Sequence, residues 1–230
     1  MSLERAEPPA PWLYRVAFVA GLTLLAVVLV SGLARVAMRD RAFPGLEQDP
    51  LVEAARMSER GDRDAARAEF AAAVALNAGD DQMITHAGAG FRKTGHHADA
   101  EAALRKALQI RPRPSTYSQL GWTLMEAGRV DEAAASFAAA LQTDPGEPLA
   151  LAGMGEIRLT SDRYAEAADF FRRSIAAKTP DAAVMNSYGI ALALAGNSTA
   201  AIQAFELAAR LDPTPDILAN LARARATSSR

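Results

Sequence analysis

One pattern of small and large apolar residues recurs five times along the chain, at intervals of 33 or 34 residues. Its clearest copy lies between Pro114 and Glu147 and contains Gly121, Gly128, Ala133, Phe137, Ala140 and Pro145. The copies on either side have comparable residues at the same positions, such as Gly88, Ala100, Leu104 and Ala107, or Gly189, Ala201, Phe205 and Ala208. A repeat of this length indicates an array of similar structural units stacked side by side.

Each copy has the spacing of a pair of α-helices. Ala133, Phe137 and Ala140 are spaced i, i+4, i+7, which puts them on one side of a helix. Gly121 lies in the preceding helix, where a small residue lets the two backbones approach closely. A Gly or Asp between the two halves predicts a helix end with left-handed backbone, at positions 61, 95, 128, 162 and 196. Because one hairpin cannot bury both of its faces, the units must stack on their neighbours.

This arrangement resembles the tetratricopeptide repeat over roughly residues 47–213. The resemblance implies an all-α fold: a superhelical solenoid of about five helix-turn-helix units, followed by a C-terminal capping helix. The predicted units span 47–80, 81–113, 114–147, 148–181 and 182–214, and the cap spans 215–230. We expect the apolar residues of the cap on its buried side and the arginines on its outer side, namely Ile217, Leu218 and Leu221 against Arg223 and Arg225.

The chain before the repeats has a different composition. Nineteen residues from Val16 to Ala34 carry no charge and would span about 28 Å as a helix, close to the roughly 30 Å of a bilayer core. Residues typical of a membrane interface flank the stretch: Trp12, Tyr14, Arg15 and Arg35. We expect a polar tail over 1–14, a single transmembrane helix over 15–37 and a linker over 38–46. A cleaved secretory signal is the alternative, since Gly32 and Ala34 are small residues at cleavage positions.

The basic residues on the two sides of this apolar stretch nearly balance, so the positive-inside rule hardly distinguishes the two orientations. By analogy with bacterial proteins of similar architecture, we expect a cytoplasmic tail with the repeats on the periplasmic side. The expected location is the cell membrane, with the helix in contact with lipid.

Composition and motifs argue against nucleic-acid binding, metal binding and catalysis. The net charge of −2 provides no general basic field for nucleic acid, and the absence of Cys excludes thiolate ligands and a cysteine nucleophile. The chain has no phosphate-binding glycine loop and no HExxH or GxSxG signature. His96 and His97 are adjacent, so their side chains diverge and would not share a zinc ion. We expect no enzymatic activity, cofactor, metal ion or small-molecule substrate.

The family resemblance implies a concave groove, lined by the first helix of each unit, that takes a peptide or a helix of a partner. The residues that map onto it as candidates for partner binding are Trp122, Met125, Arg92, Lys93, Asn186 and Glu156. Trp122 follows Gly121, which turns it about 100° from the hairpin seam, and an exposed Trp is a typical interface anchor. The alternative is that Trp122 packs against the adjoining unit. Asn186 alone matches the clamp with which some members bind a C-terminal carboxylate, so binding of chaperone tails is not expected.

These features favour a membrane-anchored protein-interaction module, acting as a scaffold or as an accessory subunit of a membrane protein complex. Its partners would be proteins, associated with the same membrane. The alternative is a periplasmic assembly factor that holds unfolded envelope proteins in the manner of a chaperone.

Overall fold

The computed structural model describes residues 50–178 and 181–228. They form eleven α-helices and contain no β-strand: α1 (Pro50–Glu59), α2 (Arg63–Leu76), α3 (Asp81–Lys93), α4 (His97–Ile110), α5 (Pro114–Glu126), α6 (Val130–Thr143), α7 (Pro148–Thr160), α8 (Tyr164–Ala177), α9 (Ala182–Leu194), α10 (Ser198–Leu211) and α11 (Pro215–Ser228). The expected tail, transmembrane helix and linker at 1–46 lie outside this part of the chain. Within it, no helix has both the length and the apolar character needed to cross a bilayer.

The helices pack in the order in which they follow one another. Each first helix pairs with the second helix that comes next, giving the hairpins α1–α2, α3–α4, α5–α6, α7–α8 and α9–α10, and α11 packs on the last hairpin. First helices of neighbouring units also contact one another, as α3 and α5 do. The predicted solenoid of five helical hairpins and a final helix is therefore confirmed.

The core lies where each second helix meets the first helices beside it. The predicted stripes of the second helices are buried: Ala66, Phe70 and Ala73; Ala100, Leu104 and Ala107; Ala133, Phe137 and Ala140; Ala201, Phe205 and Ala208. Gly121 of α5 lies directly against the ring of Phe137, because a Cβ atom added to it would be 2.5 Å from a ring carbon. Real Cβ atoms do not come this close, so the glycine is what lets α5 and α6 pack at this distance.

Every hairpin turn uses left-handed backbone at the predicted position. Gly61, Gly95, Gly128 and Gly196 have φ between 78° and 85°, and Asp162 has a φ of 59°. In the third unit the chain reverses through a backbone hydrogen bond from Arg129 N to Leu124 O, 2.9 Å long. This bond satisfies a carbonyl group at the end of the helix, as in other helices that end in this conformation.

The last helix departs from the expected cap. Ile217 and Leu221 are buried against the last hairpin, together with Ala224, but Leu218 is 47% exposed. Leu218 is one residue, or about 100° of helix, beyond Ile217, and this rotation carries it off the buried side. The apolar residues of α11 therefore lie on two sides of the helix, and placing Leu218 on the buried side was wrong.

Candidate functional site

The first helices of units two to five present equivalent residues on one open surface, which we call the first-helix face. The residues are spaced i, i+4, i+7, i+11 along each helix, and all except Gly153 are exposed or half-buried: Gln82, His86, Ala89 and Lys93; Ser115, Gln119, Trp122 and Glu126; Leu149, Gly153, Glu156 and Thr160; Ala183, Ser187, Ile190 and Leu194. Since consecutive first helices contact one another, these residues form a continuous strip across four units.

Trp122 is an integral part of the packing between the third and fourth units. Its indole Nε1–H donates a 3.1 Å hydrogen bond to the Leu149 carbonyl of α7. Its ring meets Phe137 edge to face, with 5.9 Å between ring centroids. The side chain is half-buried and packs with Met125 against the core of the third unit. The structure thus favours packing against the adjoining unit, the alternative that the sequence left open.

We expect Trp122→Phe to lower the free energy of unfolding by about 1 kcal/mol. Phenylalanine keeps an aromatic ring but lacks the N–H group that donates a hydrogen bond to the Leu149 carbonyl. Trp122→Ala should cost roughly 2–3 kcal/mol, since it also removes the apolar contact with Phe137. Urea unfolding followed by circular dichroism would measure both values. If Trp122→Ala unfolded at the same urea concentration as the unmodified chain, the side chain would not contribute to packing.

A charged cluster connects the second and third units at one edge of the face. Arg92 Nη1 lies 2.5 Å from Glu126 Oε1, and His97 Nδ1 lies 3.7 Å from Glu126 Oε2. The Arg92 side chain is only 18% exposed, so its guanidinium forms an ion pair between the two units and is not a solvated cation. Lys93, the next residue, is exposed. The two adjacent cations are therefore not equivalent, and Lys93 is the one open to a partner.

Gln119 contributes an unused hydrogen-bond acceptor near the middle of the face. Its Oε1 is buried and has no hydrogen-bond partner among the residues that the structure describes. Buried polar atoms in folded proteins usually have a partner. Because this oxygen has almost no contact with solvent, a bound backbone N–H would reach it only after the Gln119 side chain changes rotamer. The sequence analysis did not single out this residue.

The remaining candidates lie further along the array. Asn186 Oδ1 accepts a 3.0 Å hydrogen bond from Asn220 Nδ2, so its amide joins α9 to α11. Glu156 is half-buried on α7, one turn from Gly153. The structure brings Trp122 and Met125 together in one cluster and links Arg92 to Glu126, but Asn186 belongs to a separate contact at the end of the array.

A cavity of about 120 Å³ opens where α7 and α9 begin and α8 ends. Its walls are mostly apolar, with Lys178 and Asp181 at the rim: Pro148, Leu149, Ala152, Ser174, Ile175 and Val184. The carboxylate of Asp181 accepts a hydrogen bond from the Val184 N–H. The Ser174 hydroxyl donates a hydrogen bond to the Pro148 carbonyl, so both polar groups already have partners within the protein. Lys178 is therefore the polar group best placed to meet an incoming ligand.

Glu147 ends the turn that leads into this cavity. Partial burial raises the pKa of its carboxyl above the usual value, while the hydrogen bond from the Leu149 N–H and the positive charge of Lys178 act in the opposite direction. The pKa of Glu147 therefore shifts upward, whereas the pKa values of acids that pair with arginines in the second and third units shift downward. The hydrogen bond from Arg113, for example, lowers the pKa of Asp81.

Sequence reasoning overlooked the role of Gly153. At the repeat position where the second, third and fifth units have His86, Gln119 and Ser187, the fourth unit has this glycine. A Cβ atom added to it would be 2.2 Å from the Phe137 ring. This gap lets Phe137 reach into the fourth unit beside Trp122. The signal was available, because a glycine interrupts an otherwise polar series at one repeat position.

Comparison with known proteins gives the same architecture. The family model described as the tetratricopeptide repeat matches residues 118–183 and 175–214. Protein O-mannosyl-transferase TMTC1 of Mus musculus is 35% identical over 88 residues, and the match spans 36% of this chain but 9% of that protein.

Two solved structures share the fold at 17% sequence identity, a level that shows the fold alone. The APC/C hetero-tetramer Cut9–Hcn1 is similar with a TM-score of 0.68, over 78% of this chain and 36% of that one. TTC0263, a thermophilic TPR protein of Thermus thermophilus, is similar with a TM-score of 0.63, over 77% of this chain and 98% of that one. The tetratricopeptide repeat model thus matches residues 118–214, which is less than half of the chain, and the two solved structures share the fold of the helical array.

Proposed function

We propose that this chain is a membrane-anchored protein-interaction module that binds a segment of a protein partner along the first-helix face. The tetratricopeptide repeat fold suggests a scaffold for protein–protein interaction. The observation that carries the proposal is the continuity of the open strip across four units, which matches an extended or helical polypeptide. The cavity of about 120 Å³ beside it is smaller than the roughly 300–1,000 Å³ typical of small-molecule sites, and so suits a single side chain.

The character of the face changes along the array. The second and third units present polar and charged groups, such as Gln82, Lys93 and Gln119, whereas the fifth presents Ile190 and Leu194. Leu194 is 53% exposed, a large apolar area for a surface residue. We infer that the partner places apolar side chains against the fifth unit and polar backbone against the second and third.

In this proposal the apolar stretch from Val16 to Ala34 anchors the array to the membrane as a single span, with the repeats on the periplasmic side. The support is its length and lack of charge. An anchor confines the module to a surface and raises its effective concentration toward partners in the same membrane, so a modest affinity of the face suffices. No catalytic role is assigned to the array.

The test is quantitative capture of partners by the full chain, extracted from membranes in mild detergent. We expect Leu194→Glu to reduce recovery of the partner by about tenfold, because it replaces an apolar contact worth roughly 1–2 kcal/mol with a charge. Leu76→Glu is the matched control, since Leu76 is also the last residue of its helix and is 52% exposed, but lies on a second helix.

Equal recovery with both variants would contradict binding at the first-helix face. Recovery of the full chain from the soluble fraction would contradict the anchor. Many proteins captured far below one copy per chain would instead favour the chaperone-like assembly factor.

A further inference from the structure

The cavity between the fourth and fifth units lies at a contact that differs from its counterpart earlier in the array. Between the second and third units, Thr85 and Thr116 occupy the equivalent repeat positions, and their hydroxyl oxygens are 2.8 Å apart. Both threonines are buried, so their side chains fill the space between the two helices. The fourth and fifth units have Ala152 and Val184 at these positions, and both residues line the cavity of about 120 Å³.

The interior of this cavity offers almost no polar group to a ligand. The hydroxyl of Ser174 donates a 2.8 Å hydrogen bond to the Pro148 carbonyl, and most other wall residues are apolar, such as Leu149 and Ile175. Water in such a space has few hydrogen-bond partners, so its displacement by an apolar side chain is favourable.

The volume of the cavity favours an aliphatic side chain. An apolar cavity of about 150 Å³ in another protein holds one molecule of benzene, so 120 Å³ is smaller than an aromatic side chain requires. The four carbon atoms of a leucine or isoleucine side chain suit this space. An alanine side chain would leave most of the cavity empty and make few contacts with its walls.

The rim of the cavity carries a cation that is available to a partner. Lys178 is exposed and forms no ion pair with another residue that the structure describes. Two acids lie nearby, but the carboxylate of Asp181 accepts a hydrogen bond from the Val184 N–H, and burial disfavours the charged form of Glu147. Lys178 can therefore pair with a carboxylate of a bound segment.

The cavity is continuous with the first-helix face, because Leu149 belongs to both. The face extends beyond the cavity in both directions, to the second unit on one side and along α9 of the fifth unit on the other. A segment that follows the face would pass the cavity and not end there. The carboxylate that reaches Lys178 would then belong to a side chain.

We propose that the cavity between α7, α8 and α9 takes a leucine or isoleucine side chain of the partner, while Lys178 pairs with an aspartate or glutamate next to it. This assignment rests on the proposed function, because it concerns the segment that binds along the first-helix face. It defines the partner segment as an internal stretch in which an aliphatic residue is flanked by acids.

Trp122 provides a signal for occupation of the cavity, because its indole N–H donates a hydrogen bond to the carbonyl of the wall residue Leu149. The full chain carrying Trp12→Phe, in mild detergent, is titrated with the capped peptide N-acetyl-aspartyl-leucyl-aspartyl amide while Trp122 fluorescence is recorded. We expect the dissociation constant to rise about tenfold when alanine replaces the leucine of the peptide. It should rise about threefold when asparagine replaces both aspartates.

Two variants separate the cavity from the cation. Val184→Phe should weaken binding of the leucine peptide about tenfold, because the ring fills the cavity. Lys178→Gln should remove the preference for aspartate over asparagine and keep the preference for leucine over alanine. Arg111→Gln is the matched control and should change neither preference, since Arg111 is the residue after α4 at the repeat position of Lys178 and is 65% exposed.

Equal affinity for the leucine and alanine peptides, or no saturable change in fluorescence, would overturn the proposal. So would a preference for aspartate that survived Lys178→Gln. Tighter binding of N-acetylleucine would place a chain end at the rim and overturn it as well. If circular dichroism showed that Val184→Phe unfolds the array, the peptide series with Lys178→Gln would still decide the question.

Failure of this proposal is distinguishable from failure of the proposed function. If the peptides did not bind but Leu194→Glu still reduced the recovery of partners, the cavity assignment alone would be wrong. If the peptides bound as expected but Leu194→Glu and Leu76→Glu gave equal recovery, the cavity would be a binding site and the wider first-helix face would not.

Discussion

Replacing Phe137 with alanine is expected to lower the free energy of unfolding of the array by about 3–5 kcal/mol. Phe137 is fully buried and lies between Gly121 of its own unit and Gly153 of the next, where added Cβ atoms would be 2.5 and 2.2 Å from its ring. Glycines have no side chain that could move into the space left by the ring, so the cavity would stay largely open. Trp122 would also lose its edge-to-face partner.

Phe137→Leu is the matched control, because the equivalent position of the second unit is occupied by Leu104, which is also fully buried. We expect this variant to lose only about 1 kcal/mol. Urea unfolding of the full chain, followed by circular dichroism and by Trp122 fluorescence in a Trp12→Phe background, gives both values. Comparable losses for alanine and leucine would show that the ring does not join the third and fourth units.

Ala167→Asp is expected to unfold the fourth and fifth units at neutral pH. Ala167 is fully buried in the cluster that contains Phe171, Met185 and Phe205, so a carboxylate there would be surrounded by apolar side chains. A buried and unpaired charge costs several kcal/mol, a large part of the 5–15 kcal/mol by which domains are usually stable. Ala165→Asp, an exposed position in the same helical turn, should change stability by less than about 0.5 kcal/mol.

The loss of stability caused by Ala167→Asp should become smaller at low pH. Burial raises the pKa of the new carboxyl in the folded chain above its unfolded value, so its penalty is full at neutral pH and disappears below the unfolded pKa. The native acids behave in the opposite way. Hydrogen bonds from arginines lower the pKa of Asp81 and Glu132, and the stability that these acids contribute is lost as the pH falls.

Each variant must therefore be compared with the unmodified chain at the same pH. Thermal melting at pH 7 and pH 4, followed by circular dichroism, would show whether the difference between the two chains narrows. A difference that stayed constant with pH would mean that the introduced carboxylate reaches water, and hence that the repeat register is wrong at Ala167.

The periodic part of the structure was accessible from the sequence because each feature depends on neighbours within one hairpin. The turn at Gly128 follows from a helix that must end there, and the burial of Phe137 follows from its spacing to Ala133 and Ala140. Asp162 also adopts the left-handed backbone that its repeat position predicts, without being glycine.

The interaction surface was less accessible because it depends on contacts between units. Helical spacing places Trp122 away from its own hairpin, but it does not show that the Leu149 carbonyl and the Phe137 ring of neighbouring helices are within reach. The same limit applies to Leu218, since its exposure depends on which side of α11 meets the last hairpin. Spacing within one helix determines the side of the helix on which a residue lies. The residues that it contacts depend on how the neighbouring unit packs against that side.

The contact between Phe137 and Gly153 makes the third and fourth units unequal members of a repetitive series. A solenoid of interchangeable modules could be lengthened or shortened at any joint. At this joint, a newly inserted module with His, Gln or Ser at the position of Gly153 would collide with the ring. Duplication, deletion or grafting of modules is therefore constrained here, and the two units would have to be copied as a single block.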